Sequence, residues 1–363
     1  MISWRRGVVR SVGNSWPGAV EIIADVDGNP VPALAYPPLV GTPCVGDVVL
    51  LNTTALDLEL GTGGYALVIA LPERLPEDAP EPGYLVKARY TPQQVSVPGV
   101  DAQESPHHAV LADADSIDGM PVVIADLHSA LPAVLAGLRL SRPSARVVYV
   151  MSDGGALPIW FSRTVARLRE AGWLSAAVTV GQAFGGDVEA VTLHTGLLAA
   201  RHVLDAEVVV VAQGPGNLGT GTRWGYSGVA AGEAVNAVAA LGGRAVASLR
   251  ISDADPRTRH QGISHHSRTA YGRVALAAAD VVVPLLDEPL AGAVETDLAA
   301  LGGRHRIVRV STDGMLDALR SAPVALSTMG RSLDEDPGYF LAAGCAGRHA
   351  AALLEGGTDP SKR

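Results

Sequence analysis

The residues best suited to chemistry crowd into the segment Ser252–Arg268, SDADPRTRHQGISHHSR, which holds Asp253, Asp255, Arg257, Arg259, His260, His265 and His266. Two arginines one residue apart can grip a phosphate or carboxylate through charge-assisted hydrogen bonds, while a nearby histidine moves protons close to neutral pH. In this reading Asp253, Asp255, Arg257 and Arg259 form an anion site. His265 or His266 then acts as acid or base with Asp153, which lies in Ser152-Asp153-Gly154-Gly155. The competing use of the histidines is metal ligation, where a catalytic ion needs three protein ligands and an open position. The spacing of His260 from His265-His266 fits no metal motif, and adjacent residues entering a helix point about 100° apart. No metal is therefore expected. The plainer alternative is a polar loop in which Asp255 pairs with the arginines and a histidine caps or packs.

A second candidate is the stretch Glu207–Gly228, EVVVVAQGPGNLGTGTRWGYSG. An apolar run is followed by glycines at 214, 216, 219, 221, 225 and 228, and then by a helix-period segment, a layout in which bare backbone N–H groups can face an anion. Gly214, Gly216, Asn217, Gly219, Thr220, Gly221, Thr222 and Arg223 are the expected contacts. The residues Gly214-Pro215-Gly216-Asn217-Leu218-Gly219 match the dinucleotide pattern G-x-G-x-x-G. They depart from it in context. Pro215 removes a donor, the loop runs on past Gly221, and no acidic residue ends the next strand at the usual distance. An anion or a tight packing turn explains the loop better than a dinucleotide. Trp224 and Tyr226 can stack on a ring or join a local apolar cluster. There is no G-x-S-x-G elbow, no P-loop lysine and no H-E-x-x-H.

What must position these residues is an alternation of apolar strands and amphipathic helices beyond residue 106. Strands are expected at Pro121–Ala125, Arg146–Val150, Ala176–Val180, Glu207–Ala212, Arg244–Arg250, Asp280–Pro284 and Ile307–Val310. Helices are expected at Ser129–Leu140, Ile159–Ala171, Leu197–Leu204, Gly232–Leu241 and Ser267–Ala278, with a closing helix after Pro337. This predicts an α/β domain over 106–357, a mostly parallel, Rossmann-like sheet covered by helices on both faces. Polar and glycine residues follow five of the strands, including Asp126, Asp153, Gln182, Gln213 and Asp253, and in such a sheet those ends share one ligand-binding edge. Thr328, Gly330 and Arg331 are placed to close over it.

Residues 1–100 read as a smaller β-rich domain. Apolar or alternating runs at Ala19–Val26, Val31–Tyr36, Val45–Leu51 and Tyr65–Leu71, separated by turn residues, suggest an antiparallel barrel or sandwich. A Pro- and acid-rich loop spans 72–83, and 358–363 is expected to be a disordered tail.

The chain of 363 residues is 48% hydrophobic and 18% charged, enough for a large core and too apolar for disorder. Its net charge of −9 argues against nucleic acid or an acidic membrane as partner. All but two of the 28 basic residues are arginine, the exceptions being Lys87 and Lys362, a bias of the kind a GC-rich genome produces. Cys44 and Cys345 belong to no redox or metal pattern and are expected to be buried and reduced. The N-terminus lacks an apolar signal core and no segment is apolar for long enough to span a bilayer, so a cytoplasmic protein is expected.

The stretches GDVVLLNTTALDLELGTGGYALVIA, MSDGGALP, GQAFGGDVEAV, AQGPGNLGTGTRWGYSG and ISDADPRTRHQGISHHSRTAYGRVAL resemble an uncharacterised bacterial family with a domain of unknown function, over nearly the whole chain. The resemblance implies one protein type and carries no assigned activity, cofactor or catalytic residue. Three functions are consistent with the residues: an enzyme acting on a small anionic or phosphorylated metabolite, a non-catalytic ligand sensor, and a structural protein that assembles as a homo-oligomer.

Overall fold

The computed structural model describes residues 2–60, 63–78, 83–155 and 157–355. The chain divides into two compact units, one comprising the residues up to Pro98 with Pro158–Ala166, the other Gly99–Leu157 with the residues from Arg167 onward.

The first unit is a closed five-stranded barrel of β1 (Trp4–Trp16), β2 (Ala19–Val26), β3 (Asn29–Ala35), β4 (Val48–Asn52) and β5 (Ala66–Ala70), in the order β1-β2-β3-β5-β4. Inward residues alternate with outward ones along β2, and Val20, Ile22, Ala24, Val49, Leu51 and Val68 fill the interior. One pairing differs from the antiparallel expectation: β3 and β5 run parallel, with Ala33 opposite Ala66. Residues 158–166 pack with this barrel, where the Trp16 indole donates to the Trp160 carbonyl at 2.7 Å. A hairpin, β6 (Leu85–Lys87) with β7 (Val95–Val97), completes the unit. The Gly61-Thr62 part of one expected turn, the 79–82 part of the Pro-rich loop and the expected tail at 358–363 lie outside the described residues.

The second unit is an α/β layer structure. Its eight-stranded parallel sheet uses β8 (Pro121–Ile124), β9 (Val147–Ser152), β10 (Ala176–Thr179), β11 (Val188–Glu189), β12 (Val208–Gln213) and β13 (Arg244–Ser248). The short pair β14 (Ile251–Ser252) and β15 (Gly262–Ile263) intervenes before β16 (Asp280–Pro284) and β17 (Arg306–Val310). The order is β11-β10-β9-β12-β8-β13-β16-β17. The central strands are buried on both faces, as in Val208–Gln213, so they read as unbroken apolar runs.

The crossover helices follow the expected segments with shifted ends: Leu131–Arg139, Arg163–Glu170, Leu193–His202 and Ala230–Ala240. The helix expected at Ser267–Ala278 starts earlier, at His265, and widens into a π turn at Ala270–Val274. The closing helix, Pro337–Glu355, crosses the helix Leu131–Arg139 on glycines. A Cβ on Gly137 would lie 1.8 Å from the Gly344 carbonyl oxygen, and one on Gly347 would lie 1.9 Å from that of Val134. Among the described residues no helix is long and apolar enough to cross a membrane. Both cysteines are free. Cys345 is buried, but Cys44 is exposed, contrary to expectation, because it sits in the polar turn before β4.

Candidate functional site

The sheet reverses its strand order around β8, which lies between β12 and β13, and the chain leaving these three strands builds the site. Under it the hydroxyl of buried Tyr271 donates to the Ile124 carbonyl (2.8 Å) and lies 3.2 Å from that of Ser248, spanning the ends of β8 and β13. Gln213, the last residue of β12, donates through Nε2 to the Asp126 carbonyl (2.7 Å) and to Asn217 Oδ1 (3.0 Å). Asn217 Oδ1 also accepts from Ser227 Oγ at 2.9 Å and from the Gly228 amide at 3.3 Å.

Between these anchors, residues 214–226 form an arch bonded mainly to itself. The Thr220 amide donates to the Gly225 carbonyl (2.7 Å), and Thr222 Oγ1 accepts from the Gly225 amide (3.1 Å) and lies 3.2 Å from Thr220 Oγ1. Gly216 and Gly221 have φ of +95° and +79°, where a side chain is strained. The arch leads through one 3₁₀ turn, Ser227–Val229, into the α-helix that begins at Ala230.

The polar segment is folded by the β14–β15 hairpin, which pairs Ile251 with Ile263 and Ser252 with Gly262. The pairing returns the chain to Ser264, whose Oγ caps the following helix by accepting from the His266 amide at 3.2 Å. Within the loop the carboxylate of fully buried Asp255 binds three guanidinium groups. Arg257 holds it with a two-pronged contact (Nε to Oδ1 2.9 Å, Nη2 to Oδ2 2.8 Å), while Arg250 and Arg331 reach Oδ2 at 3.2 and 3.3 Å. Burial alone would raise the Asp255 pKa, but the hydrogen bonds and charge of Arg257 outweigh it and hold the carboxyl well below its ordinary value.

Next to this cluster, His260, His265 and His266 each offer a ring nitrogen, and these nitrogens lie within 4.8 Å of one another. The ring centroids are 4.4 Å apart for His265 and His266, 4.8 Å for His260 and His265, and 4.9 Å for His260 and His266. The expected divergence of the adjacent histidines is not what the fold produces. Their Cβ vectors separate at the helix start, but imidazoles on two rotatable bonds swing back into a shared space. His260 Nδ1 is 2.7 Å from Ser264 Oγ. His266 Nδ1 lies 3.5 Å from Asp126 Oδ2 and 3.4 Å from Arg250 Nη1. Burial, reinforced by Arg250 and Arg257, pushes the His260 pKa down to about 3; burial with His266 and Arg259 pushes His265 down to about 4. Both imidazoles are therefore neutral at pH 7, with lone pairs to share.

The arch and the polar segment enclose a cavity of about 120 Å³. Of the residues expected at the site, Asn217, Gly219, Gly221, Thr222, Arg257, Arg259, His265 and His266 line it. Asp255 stands behind, fixing Arg257. Asp153 is not among the lining residues: it accepts from the Gly155 and Gln182 amides beyond β9, and β12 and β8 separate that strand from β13. Gly214 packs against Met151 and Leu157, Thr220 braces the arch, and Gly216, Arg223 and Asp253 are exposed outside the cavity. Sequence reasoning missed buried Arg250 as a wall of the site, reading it as the last residue of a strand. A charged side chain ending a buried parallel strand was the available signal, since such groups are rarely buried without a partner. Thr328 is buried and Met329 lines the cavity, while Arg331 reaches Asp255 behind it.

A larger cleft, about 320 Å³, lies where β13, β16 and β17 begin. Its arginines are less available, because the Asp280 carboxylate there binds Arg244, Arg306 and His349.

A family model described as "Protein of unknown function (DUF3866)" matches residues 32–347. The chain belongs to that family. The match bears out the resemblance drawn from the motifs, and it spans the arch, the polar segment and both strands that carry them. No curated protein matches the chain.

Proposed function

We propose that the protein is an enzyme that acts on a small anionic or phosphorylated metabolite in the cavity between the arch and the polar segment. The observation that carries this reading is the convergence of Arg250, Arg257 and Arg259 on a space that also holds the neutral His260 and His265. Arg257 is fixed in advance by Asp255, so little side-chain freedom is lost when an anion arrives. Arg259 makes no ion pair among the described residues and supplies charge still to be neutralised. A volume of about 120 Å³ suits an anionic head group, not a whole nucleotide. The exposed Leu218 and Trp224 of the arch offer apolar surface to the remainder.

Thermal shift against inorganic phosphate, sugar phosphates, nucleotides and short carboxylic acids tests the reading, since a ligand of the native state raises its melting temperature. At least one class is expected to stabilise the wild type and not Arg259→Ala. Conversion of the bound compound, followed by mass, separates an enzyme from a sensor that uses the same arginines. No stabilisation across the set would return the protein to the structural reading.

A further inference from the structure

We infer that His260, His265 and His266 form a three-histidine site for one divalent first-row transition-metal ion of the zinc class, with an open coordination position toward the arginines. This goes beyond the anion reading and rests on a different observation, the meeting of three imidazole donors inside 4.8 Å. Imidazole nitrogens suit zinc and its neighbours, and three protein ligands with a vacant position are the pattern of a reactive ion. Zinc–nitrogen bonds of about 2.0–2.1 Å put tetrahedral donors about 3.3 Å apart, so small ring rotations would bring the donors to bonding distance.

The surroundings of the rings fit this use in three ways. His260 has Nδ1 committed to Ser264 Oγ, which leaves Nε2 as its donor. His265 Nε2 is buried and has no hydrogen-bond partner among the described residues. A buried imidazole nitrogen left bare loses the free energy of its hydration, and a metal bond would restore a partner. Asp126 Oδ2 is likewise buried without a hydrogen bond, 3.5 Å from His266 Nδ1. Ligation through His266 Nε2 puts the ring proton on Nδ1, where this carboxylate can accept it, the usual arrangement behind metal-bound histidines. The same nitrogen accepts weakly from Arg250 Nη1 at 3.4 Å when Nε2 keeps the proton. Ligation would therefore exchange the Arg250 contact for the Asp126 contact and release a donor of Arg250. The neighbouring guanidinium groups repel a cation, but Asp255 and Asp126 offset part of that charge. What remains favours an anion in the fourth position.

The test is titration of the full chain, stripped with chelator, with Zn²⁺ alone and no added phosphate, by calorimetry and by metal analysis after gel filtration. One equivalent per chain is expected. Co²⁺ should give the intense visible bands of a four- or five-coordinate nitrogen site. His265 is only half-buried, so His265→Ala is the variant chosen to keep the fold, checked by circular dichroism. It should lose at least tenfold in Zn²⁺ affinity and its Co²⁺ bands. Asp126→Asn should lose about 10- to 100-fold if it supports His266. Arg259→Ala removes a repelling charge from the cavity and should bind the metal at least as tightly as wild type while losing the anion, so a failure of the anion reading leaves this one standing. Absence of stoichiometric Zn²⁺ and Co²⁺ binding to folded wild type would overturn the inference, as would binding unchanged in folded His265→Ala.

Discussion

The Tyr226 ring stacks on His266 at a centroid distance of 3.8 Å and within 4° of parallel, while its hydroxyl donates to the His266 carbonyl at 2.8 Å. One side chain thus holds both the ring and the backbone of a cavity residue. Tyr226→Phe keeps the stack and removes this hydrogen bond, leaving the His266 carbonyl to the Ala270 amide alone, at a cost of about 0.5–1.5 kcal/mol. Tyr226→Ala also opens a cavity and should cost about 3–5 kcal/mol. Urea unfolding of the two variants distinguishes them, and equal losses would show that the stack contributes nothing.

Asp255 is the buried counter-charge of Arg250, Arg257 and Arg331. Asp255→Ala leaves the buried Arg250 guanidinium unmatched, while Arg331 keeps Asp336, and should destabilise the protein by about 3–5 kcal/mol. Arg259→Ala, at an exposed position, should change stability by less than about 0.5 kcal/mol while removing any anion-induced shift. Denaturant curves with and without phosphate read both effects.

Acid sensitivity follows from His128. Burial drives its pKa down to about 4, although a Gln213 backbone group pulls the other way, and burial lowers His305 too. The unfolded chain, with histidines near about 6.5, then binds protons before the folded one does. Stability should be complete above that value and fall as pH drops toward about 4. Melting at pH 5 is expected a few degrees below that at pH 7, and His128→Gln should flatten part of the slope. A melting temperature independent of pH over this range would contradict the assignment.

Gly137 and Gly347 let two helices cross backbone to backbone. Gly137→Ala places a methyl group where the Gly344 carbonyl stands, so the helices must separate, at a cost of about 3 kcal/mol. An exposed glycine with open space above it, such as Gly303, should accept alanine with little loss. Comparing their melting temperatures separates the crossing from the general effect of replacing a glycine by alanine.

The sheet could be read from the chain because strands buried on both faces need consecutive apolar residues, and Val208–Ala212 supplies them. Strand β1 escaped notice because most of its residues face outward and leave little alternation to detect. The edge of the sheet was legible, but strand adjacency was not: Asp153 and Asp253 both follow strands, yet β12 and β8 intervene. The histidine cluster depends on a hairpin whose strands are two residues long and on side-chain rotations, neither of which leaves a periodic trace.

Tyr271 reaches past the last rung between β8 and β13, Ala247 opposite Ile124, and occupies their terminal carbonyls with a single phenol. From there one chain runs on to Asp126 and the other to Arg250, two neighbours of the same imidazole. The phenol therefore works as a wedge at a fork: it ends the ladder without leaving its acceptors dry. Both branches are then free to carry polar groups that a continued ladder would have turned toward the helices.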